Sequence, residues 1–448
     1  MAGVRRNLIG SIYLTAANVG GPLLLVPVFL HFWDTHTYGL WLVLFTIPAF
    51  FVFSDAGLAN TVGNAVTLAL EQGRPSLAKA SLNAAWKFQA IAWAVIFGLL
   101  VLALAFFPIR TWLGINEMPT AEFATATLLL CLYSLVSLQT GIIAAIYRAA
   151  RCYTKYLSLN AHARVLETVL VMAALAAGGR MITVATAMLT ARVLGSFLIY
   201  KHGRSLLREV RLAFFSGRWR DLAPLMPSGL AFLSFPVANA LINQGTVMIV
   251  NNLLGAPAVV LLSVCRQLAR VFQQGTGIIL MAFQPEITSA YGAANSKRIR
   301  ELQLAVLVLP LLVMVPFVAG TTLLGSSVIE WWTRKDLGVT WSLLLACGLE
   351  AVAFGSGALC SLIPWSTNCV RGLSIVYLTT NLVALVLSAV LLPQAGIVVV
   401  PTAFCFAGFV YCYSGLRLGC IMGGFTFKSL LAPREIAAIT VRCVTRAT

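Results

Sequence analysis

The chain has 448 residues, of which 60% are hydrophobic and only 10% charged, and its mean hydropathy is +0.90. This composition excludes a soluble globular domain and requires nearly every charge to lie in a loop. The net charge of +17 does not indicate a nucleic-acid partner, because no polar segment is long enough to fold as a basic domain.

Apolar runs follow one another along the chain, each long enough for the roughly 20 residues that a helix needs to cross the hydrocarbon. They lack period-two alternation, which favours helices over a transmembrane barrel. The runs are 8–31, 37–60, 82–107, 120–147, 157–178, 181–200, 222–251, 257–283, 302–325, 340–364, 372–392 and 395–419. We therefore predict an all-α polytopic membrane protein, with about twelve transmembrane helices in two six-helix lobes around a central cavity.

The longest polar stretch, residues 201–221, falls after the sixth run and divides the chain. Its apolar residues lie among basic ones, which predicts a basic cytoplasmic linker that forms either an amphipathic helix on the inner leaflet or a plain loop. The predicted organisation is an N-terminal lobe (1–200), this linker (201–221), a C-terminal lobe (222–419) and a basic cytoplasmic tail (420–448).

Lysine and arginine predict the orientation. With the N-terminus inside, 23 of the 31 basic residues fall in cytoplasmic segments. Arg110, Arg180, Arg334 and Lys335 are the basic residues of the outer loops. This asymmetry places both termini in the cytoplasm.

Four arginines, Arg164, Arg192, Arg266 and Arg270, lie inside apolar runs. Each costs about 2.5–3.5 kcal/mol at the centre of a spanning helix, so burial against protein, water or an anionic ligand must offset the cost. The cationic interior is therefore the place to look for function.

The eighth run carries polar residues at three- and four-residue steps on one face, namely Arg266, Gln267, Arg270 and Gln274. Guanidinium groups stay charged and offer a planar fork to phosphate or carboxylate oxygens. These residues form a candidate anion-binding site. The alternative is an internal salt bridge to Glu350 or another helix.

Arg164 and Arg192 lie at similar predicted depth in the fifth and sixth runs and are further substrate-binding candidates. Glu167 follows Arg164 by three residues and can pair with it. Asn18, Asn239 and Asn243 lie in the first helix of each lobe, beside prolines that we expect to bend that helix because they remove backbone donors. Their side chains can bind sugar hydroxyls, bind the carbonyls that the prolines free, or join helices.

Asp55 and Glu350 are intramembrane carboxyls and the candidates for ion coupling, with structural counter-ions to arginine as the alternative. No metal-ligand spacing, CxxC motif or Walker loop occurs in the sequence, so we expect no metal, no cofactor and no direct use of ATP.

The segment YGLWLVLFTIP at residues 38–48, followed by Asp55-Ala56-Gly57-Leu58, resembles the polysaccharide transporter family. These are the Wzx-like O-antigen and exopolysaccharide flippases of the multidrug/oligosaccharidyl-lipid/polysaccharide (MOP) superfamily. The resemblance implies export of undecaprenyl-pyrophosphate-linked oligosaccharides across the bacterial inner membrane by alternating access, with a cationic cavity that receives the pyrophosphate. It also implies membrane lipids and the polysaccharide polymerase machinery as partners.

Three alternatives stay open. An ion-coupled multidrug or organic-cation extruder of the same superfamily shares the fold but is expected to have an acidic cavity. A flippase for peptidoglycan precursors usually has more helices. A membrane-embedded polymerase, ligase or glycosyltransferase needs a large outer loop with catalytic residues, which the sequence lacks, so we predict that the protein is not an enzyme.

Overall fold

The computed structural model describes residues 2–49, 51, 62–63, 65–66, 69–70, 72–150, 152–206, 217–223, 226–292, 295–366 and 369–425. Over these residues the chain is helical, without strands, and this confirms the predicted all-α membrane fold. Asp55, residues 207–216 of the linker and the tail from residue 426 lie outside the described residues.

The helices correspond to the predicted runs, except that the second helix covers only the start of the run 37–60, of which residues 50 and 52–60 lie outside the described residues. The helices are α1 (Ala2–Phe32), α2 (Thr35–Leu44), α3 (Pro75–Phe106), α4 (Thr120–Ala149), α5 (Tyr153–Ala176) and α6 (Met181–Leu206). After these come α7, in three segments (Met226–Ala240, Leu241–Gly245 and Thr246–Leu254), α8 (Ala256–Gly292), α9 (Ser296–Thr333), α10 (Trp341–Cys360), α11 (Arg371–Ala395) and α12 (Val399–Gly423). Short helices occur at Thr46–Ala49, Ile109–Trp112, Trp219–Leu222 and Leu362–Ser366.

Within the described residues, eight helices are long and apolar enough to cross a membrane. Three others, α1, α8 and α9, extend beyond their predicted runs, because hydropathy marks the hydrocarbon boundary whereas hydrogen bonding sets the helix end. α9 illustrates this: Asn295 Oδ1 accepts the Arg298 backbone N–H at 3.0 Å, and the helix continues for 38 residues. Because α9 ends at Thr333, the loop between the predicted runs 302–325 and 340–364 is shorter than those runs imply and begins at residue 334.

Local polar contacts fix several helix ends. Asp34 caps α2, with its carboxylate accepting the Thr37 backbone N–H at 2.8 Å and the Thr37 hydroxyl at 2.7 Å. These hydrogen bonds, the backbone one first, hold the pKa of the Asp34 carboxyl below its usual value. The predicted turn between the fifth and sixth helices is confirmed at residues 177–180, where Gly178 has a φ of +75°.

α7 is interrupted in its middle, a few residues after one of its prolines. Pro236 lies inside the helix, where it removes a backbone donor, and the segment Leu241–Gly245 is a π-helical turn. The Thr246 hydroxyl, which follows the turn, donates to the Ile242 carbonyl at 2.6 Å.

The chain divides into two compact units, residues 1–260 and 261–448. In the first unit, α5 packs against α1 and α6, and α4 packs against α6. α7 belongs to this unit, where the Asn251 and Asn252 carboxamides donate to the carbonyls of Leu113 and Trp112. In the second unit, α12 packs against α10 and α11. The division into lobes at residues 201–221 stays a prediction.

Candidate functional site

The first arginine cluster lies in the unit formed by residues 1–260 and centres on the Tyr133 hydroxyl. Arg164 Nη1 donates to this hydroxyl at 2.6 Å and lies 3.3 Å from both carboxylate oxygens of Glu167. Tyr133 donates in turn to Glu167 Oε1 at 2.8 Å. The three side chains form a closed group without net charge, and the predicted pairing of Glu167 with Arg164 is confirmed.

Arg192 completes this cluster from α6. It is 4% exposed, its Nη1 donates to Asn160 Oδ1 at 3.1 Å, and its guanidinium carbon lies 5.5 Å from the centroid of the Tyr133 ring. Its Nε is buried without a hydrogen-bond partner among the described residues. The cluster therefore holds two guanidinium groups and one carboxylate.

Helix periodicity and close packing bring these residues together. Asn160, Arg164 and Glu167 follow one another at steps of four and three residues, so they lie on one face of α5. α6 approaches that face closely at Gly195, where an added Cβ would overlap Ala163 of α5. Arg192 therefore comes within reach of the same tyrosine as Arg164.

The second cluster lies in the unit formed by residues 261–448 and centres on an ion pair between α8 and α10. Arg266 donates from Nε to Glu350 Oε2 at 3.1 Å and from Nη2 to Oε1 at 2.9 Å. The two residues are 7% and 5% exposed, and the Arg266 guanidinium lies over the Phe404 ring. The alternative interpretation of Arg266, an internal salt bridge to Glu350, is the arrangement that the structure contains.

Arg270 follows Arg266 by one helical turn and is exposed, as is Gln274, whereas Gln267 is half-buried. This face of α8 therefore carries two arginines beside one intramembrane carboxylate, the same ratio as in the first cluster. Whether Arg266, Arg270, Gln267 and Gln274 bind substrate together stays a prediction.

The asparagines predicted to bind sugars are placed as follows. Asn18 is exposed on α1. On α7, the Asn239 carboxamide donates to the Phe235 carbonyl at 3.0 Å and that of Asn243 donates to the Asn239 carbonyl at 2.8 Å. These two amides therefore contact the interrupted backbone of their own helix, and a sugar-binding role stays a prediction.

Sequence reasoning did not identify Tyr133 and Asn160 as site residues. Both had a detectable signal: Tyr133 is a polar-tipped residue in an apolar run, and Asn160 lies one turn before Arg164 on the same helix face. Their partners depend on how the helices are rotated against one another, and hydropathy does not contain this information.

No protein-family model and no curated protein sequence matches the chain. Its fold is similar to the inward-facing conformation of a multidrug resistance MATE family transporter of the MOP superfamily. The TM-score is 0.72 at 15% identity, covering 96% of this chain and 95% of the transporter. The outward-facing conformation of a multidrug resistance MATE family transporter has a TM-score of 0.65 at 14% identity, with 98% and 96% coverage.

A MOP superfamily transporter from Pyrococcus furiosus, described by the reverse polarity of its binding pocket, gives a TM-score of 0.67 at 15% identity, with 94% and 95% coverage. At these identities the likeness shows the fold alone. The chain therefore shares the helical fold of these transporters, which agrees with the predicted architecture of about twelve helices in two lobes.

Proposed function

We propose that this protein exports an undecaprenyl-pyrophosphate-linked oligosaccharide from the inner to the outer leaflet of the bacterial inner membrane, for synthesis of a surface polysaccharide. The observation that carries the proposal is the excess of arginine in both clusters. Among the described residues, each cluster contains two arginines and one glutamate, and that glutamate contacts an arginine.

The chemistry of the substrate matches this excess. A pyrophosphate group cannot cross about 30 Å of hydrocarbon without compensating positive charge, which arginine supplies in a planar fork. The hydroxyls of the oligosaccharide need polar partners, and Asn18, Asn239 and Gln274 have exposed side chains. The polyprenyl tail can remain in the bilayer while its headgroup is transferred.

The fold supports transport by alternating access, since similar transporters occur in inward-facing and outward-facing conformations. The reverse polarity described for the Pyrococcus furiosus pocket is a precedent within the superfamily for a changed pocket charge. Asp55 and Glu350 are the proposed coupling carboxyls, both termini are proposed to be cytoplasmic, and the polysaccharide polymerase machinery is the proposed downstream partner.

Export of organic cations is the second candidate, and the similarity to multidrug MATE transporters favours it. A cation needs a carboxylate that is not already neutralised. In the described part of the two clusters, Glu167 and Glu350 both contact arginine, and an organic cation would have to displace that guanidinium. The cluster charges therefore favour the anionic substrate.

The test uses proteoliposomes that contain the purified chain and a fluorescent polyprenyl-pyrophosphate oligosaccharide in the donor leaflet. We expect protein-dependent appearance of the sugar in the acceptor leaflet, measured by its exposure to a glycosidase. Arg270→Ala should reduce the rate by about tenfold or more, because it removes a charged donor, and Arg270→Lys should restore it in part.

Arg298→Ala is the matched control, because Arg298 is an exposed arginine at the start of α9 whose loss should leave the rate unchanged. A strain that lacks the gene should lose its surface polysaccharide and accumulate the lipid-linked precursor inside. Normal polysaccharide together with new sensitivity to cationic drugs would instead establish the extruder.

A further inference from the structure

We infer that Arg192 is a phosphate-binding residue of this protein, whereas Arg164 has a structural role in the same cluster. Sequence reasoning could not distinguish the two arginines, but their contacts differ. The inference rests on the proposed function in one respect, which is that the phosphate belongs to the translocated headgroup.

Arg164 is already neutralised. Its guanidinium lies 3.3 Å from both oxygens of Glu167, and the Tyr133 hydroxyl accepts from Arg164 and donates to Glu167. A new anion at Arg164 would have to displace a carboxylate that is held by two partners.

Among the residues that the structure describes, Arg192 has no such counter-ion. Of the five N–H donors of a guanidinium, the described residues engage one, through Nη1 and Asn160 Oδ1. The Tyr133 ring offers a partial cation–π contact. A 4% exposed guanidinium without a carboxylate, and with a buried Nε lacking an acceptor, is an unfavourable arrangement unless a ligand completes it.

The two clusters show which ligand fits. Arg266 binds both oxygens of Glu350 through its Nε and Nη2 edge. In Arg192 the same edge makes no hydrogen bond within the described part of the chain, because only Nη1 is engaged. An oxyanion with two acceptor oxygens, such as a phosphate, would bind this edge as Glu350 binds that of Arg266.

Asn160 places a further donor beside the Arg192 guanidinium. Its Oδ1 accepts from Arg192, which leaves its Nδ2 amide group as a donor for the same anion. Asn160 is half-buried, so part of its side chain is accessible.

The experiment measures binding of inorganic pyrophosphate to the purified full-length chain in phosphatidylcholine nanodiscs, by calorimetry. Arg192→Gln should raise the Kd by about tenfold or more, because it removes a charged donor pair. Arg192→Lys should restore binding in part, since a lysine keeps the charge but not the fork.

The matched control is the double variant Arg164→Gln/Glu167→Gln, which removes the neutral pair and leaves the excess charge on Arg192. Its Kd should stay within about threefold of the unmodified protein. An unchanged Kd in Arg192→Gln, or weaker binding in the double variant than in Arg192→Gln, would overturn the inference. If Arg192→Gln does not fold, Arg192→Lys is compared with the double variant by the same criterion.

Two further arms identify the source of the phosphate and separate this inference from the proposed function. Phosphatidic acid added to the nanodiscs should leave the pyrophosphate Kd unchanged, whereas competition would show that a bilayer lipid is the natural ligand. Pyrophosphate binding that depends on Arg192, without oligosaccharide flipping, would defeat the proposed function alone. Flipping at the normal rate in Arg192→Gln would defeat this inference alone.

Discussion

Arg266 and Glu350 form a buried ion pair whose value for stability depends on both partners being present. Loss of one partner leaves an uncompensated buried charge, so Glu350→Gln should lower the free energy of unfolding by about 3–5 kcal/mol. The double variant Arg266→Met/Glu350→Leu should recover most of that loss, since it removes both charges at similar volume. The measurement is a double-mutant cycle by thermal unfolding in detergent.

The exposed pair of Arg298 and Glu301, whose charged atoms lie 3.6 Å apart, is the control for this cycle. Its coupling energy should be about 0–1 kcal/mol, because solvent screens it. A coupling of that size at Arg266 and Glu350 would show that their carboxylate and guanidinium are solvated, contrary to the structure.

At the scale of single residues, the sequence was most informative where a charged residue lies inside an apolar run. Arginines in apolar runs stand out, and both clusters contain those that were predicted. The partners of these arginines were harder to predict. Glu167 follows from a three-residue step within one helix, whereas Tyr133 reaches Arg164 from another helix and depends on interhelical packing.

Among the helix contacts, that between α10 and α12 is built on small residues. A Cβ added at Gly408 would lie 2.7 Å from the Ala353 Cβ and 3.1 Å from backbone atoms of residues 353 and 354. Backbone cannot move aside as a flexible side chain can, so Gly408→Ala should destabilise the protein by about 1–3 kcal/mol. The readout is the Tm of the purified protein.

Gly98→Ala on α3 is the matched control, since an added Cβ there meets nothing within 4 Å. This variant should be neutral or gain up to about 1 kcal/mol, because alanine favours the helix over glycine. Equal losses of stability in the two variants would contradict close packing of α10 on α12.

Most helices were predictable because the membrane imposes a length and an apolar composition on each of them. Their exact ends were not, since α9 extends beyond its predicted run at both ends. The prolines of α7 predicted a bend, but the π-helical turn at Leu241–Gly245 depends on backbone hydrogen bonds that sequence patterns do not specify.

For the whole molecule, the predicted alternation of inner and outer loops is consistent with contacts inside the unit of residues 1–260. Loops predicted on the outer side meet one another: Trp33 Nε1 donates to the Gly179 carbonyl at 3.1 Å, and His36 Nε2 lies 3.6 Å from Glu117. Segments predicted on the inner side also meet, with Phe88 and Trp219 ring centroids 5.4 Å apart. These contacts pair the loops by side, and the charge asymmetry then predicts which side is cytoplasmic.

The orientation itself can be tested with two insertion sites of equal geometry. Gly73, in a predicted inner loop, and Gly338, in a predicted outer loop, both have positive φ, and an added Cβ would meet nothing within 4 Å of either. An epitope inserted at either position should therefore be tolerated. In intact spheroplasts, an antibody should bind only the tag at 338. The tag at 73 lies in one of the inner segments that together carry 23 of the 31 basic residues, and such segments stay in the cytoplasm. Permeabilised spheroplasts control for expression and should bind both tags. Antibody binding to the tag at 73 in intact spheroplasts would show that the orientation is the opposite of the predicted one. The proposed direction of export would then be wrong as well.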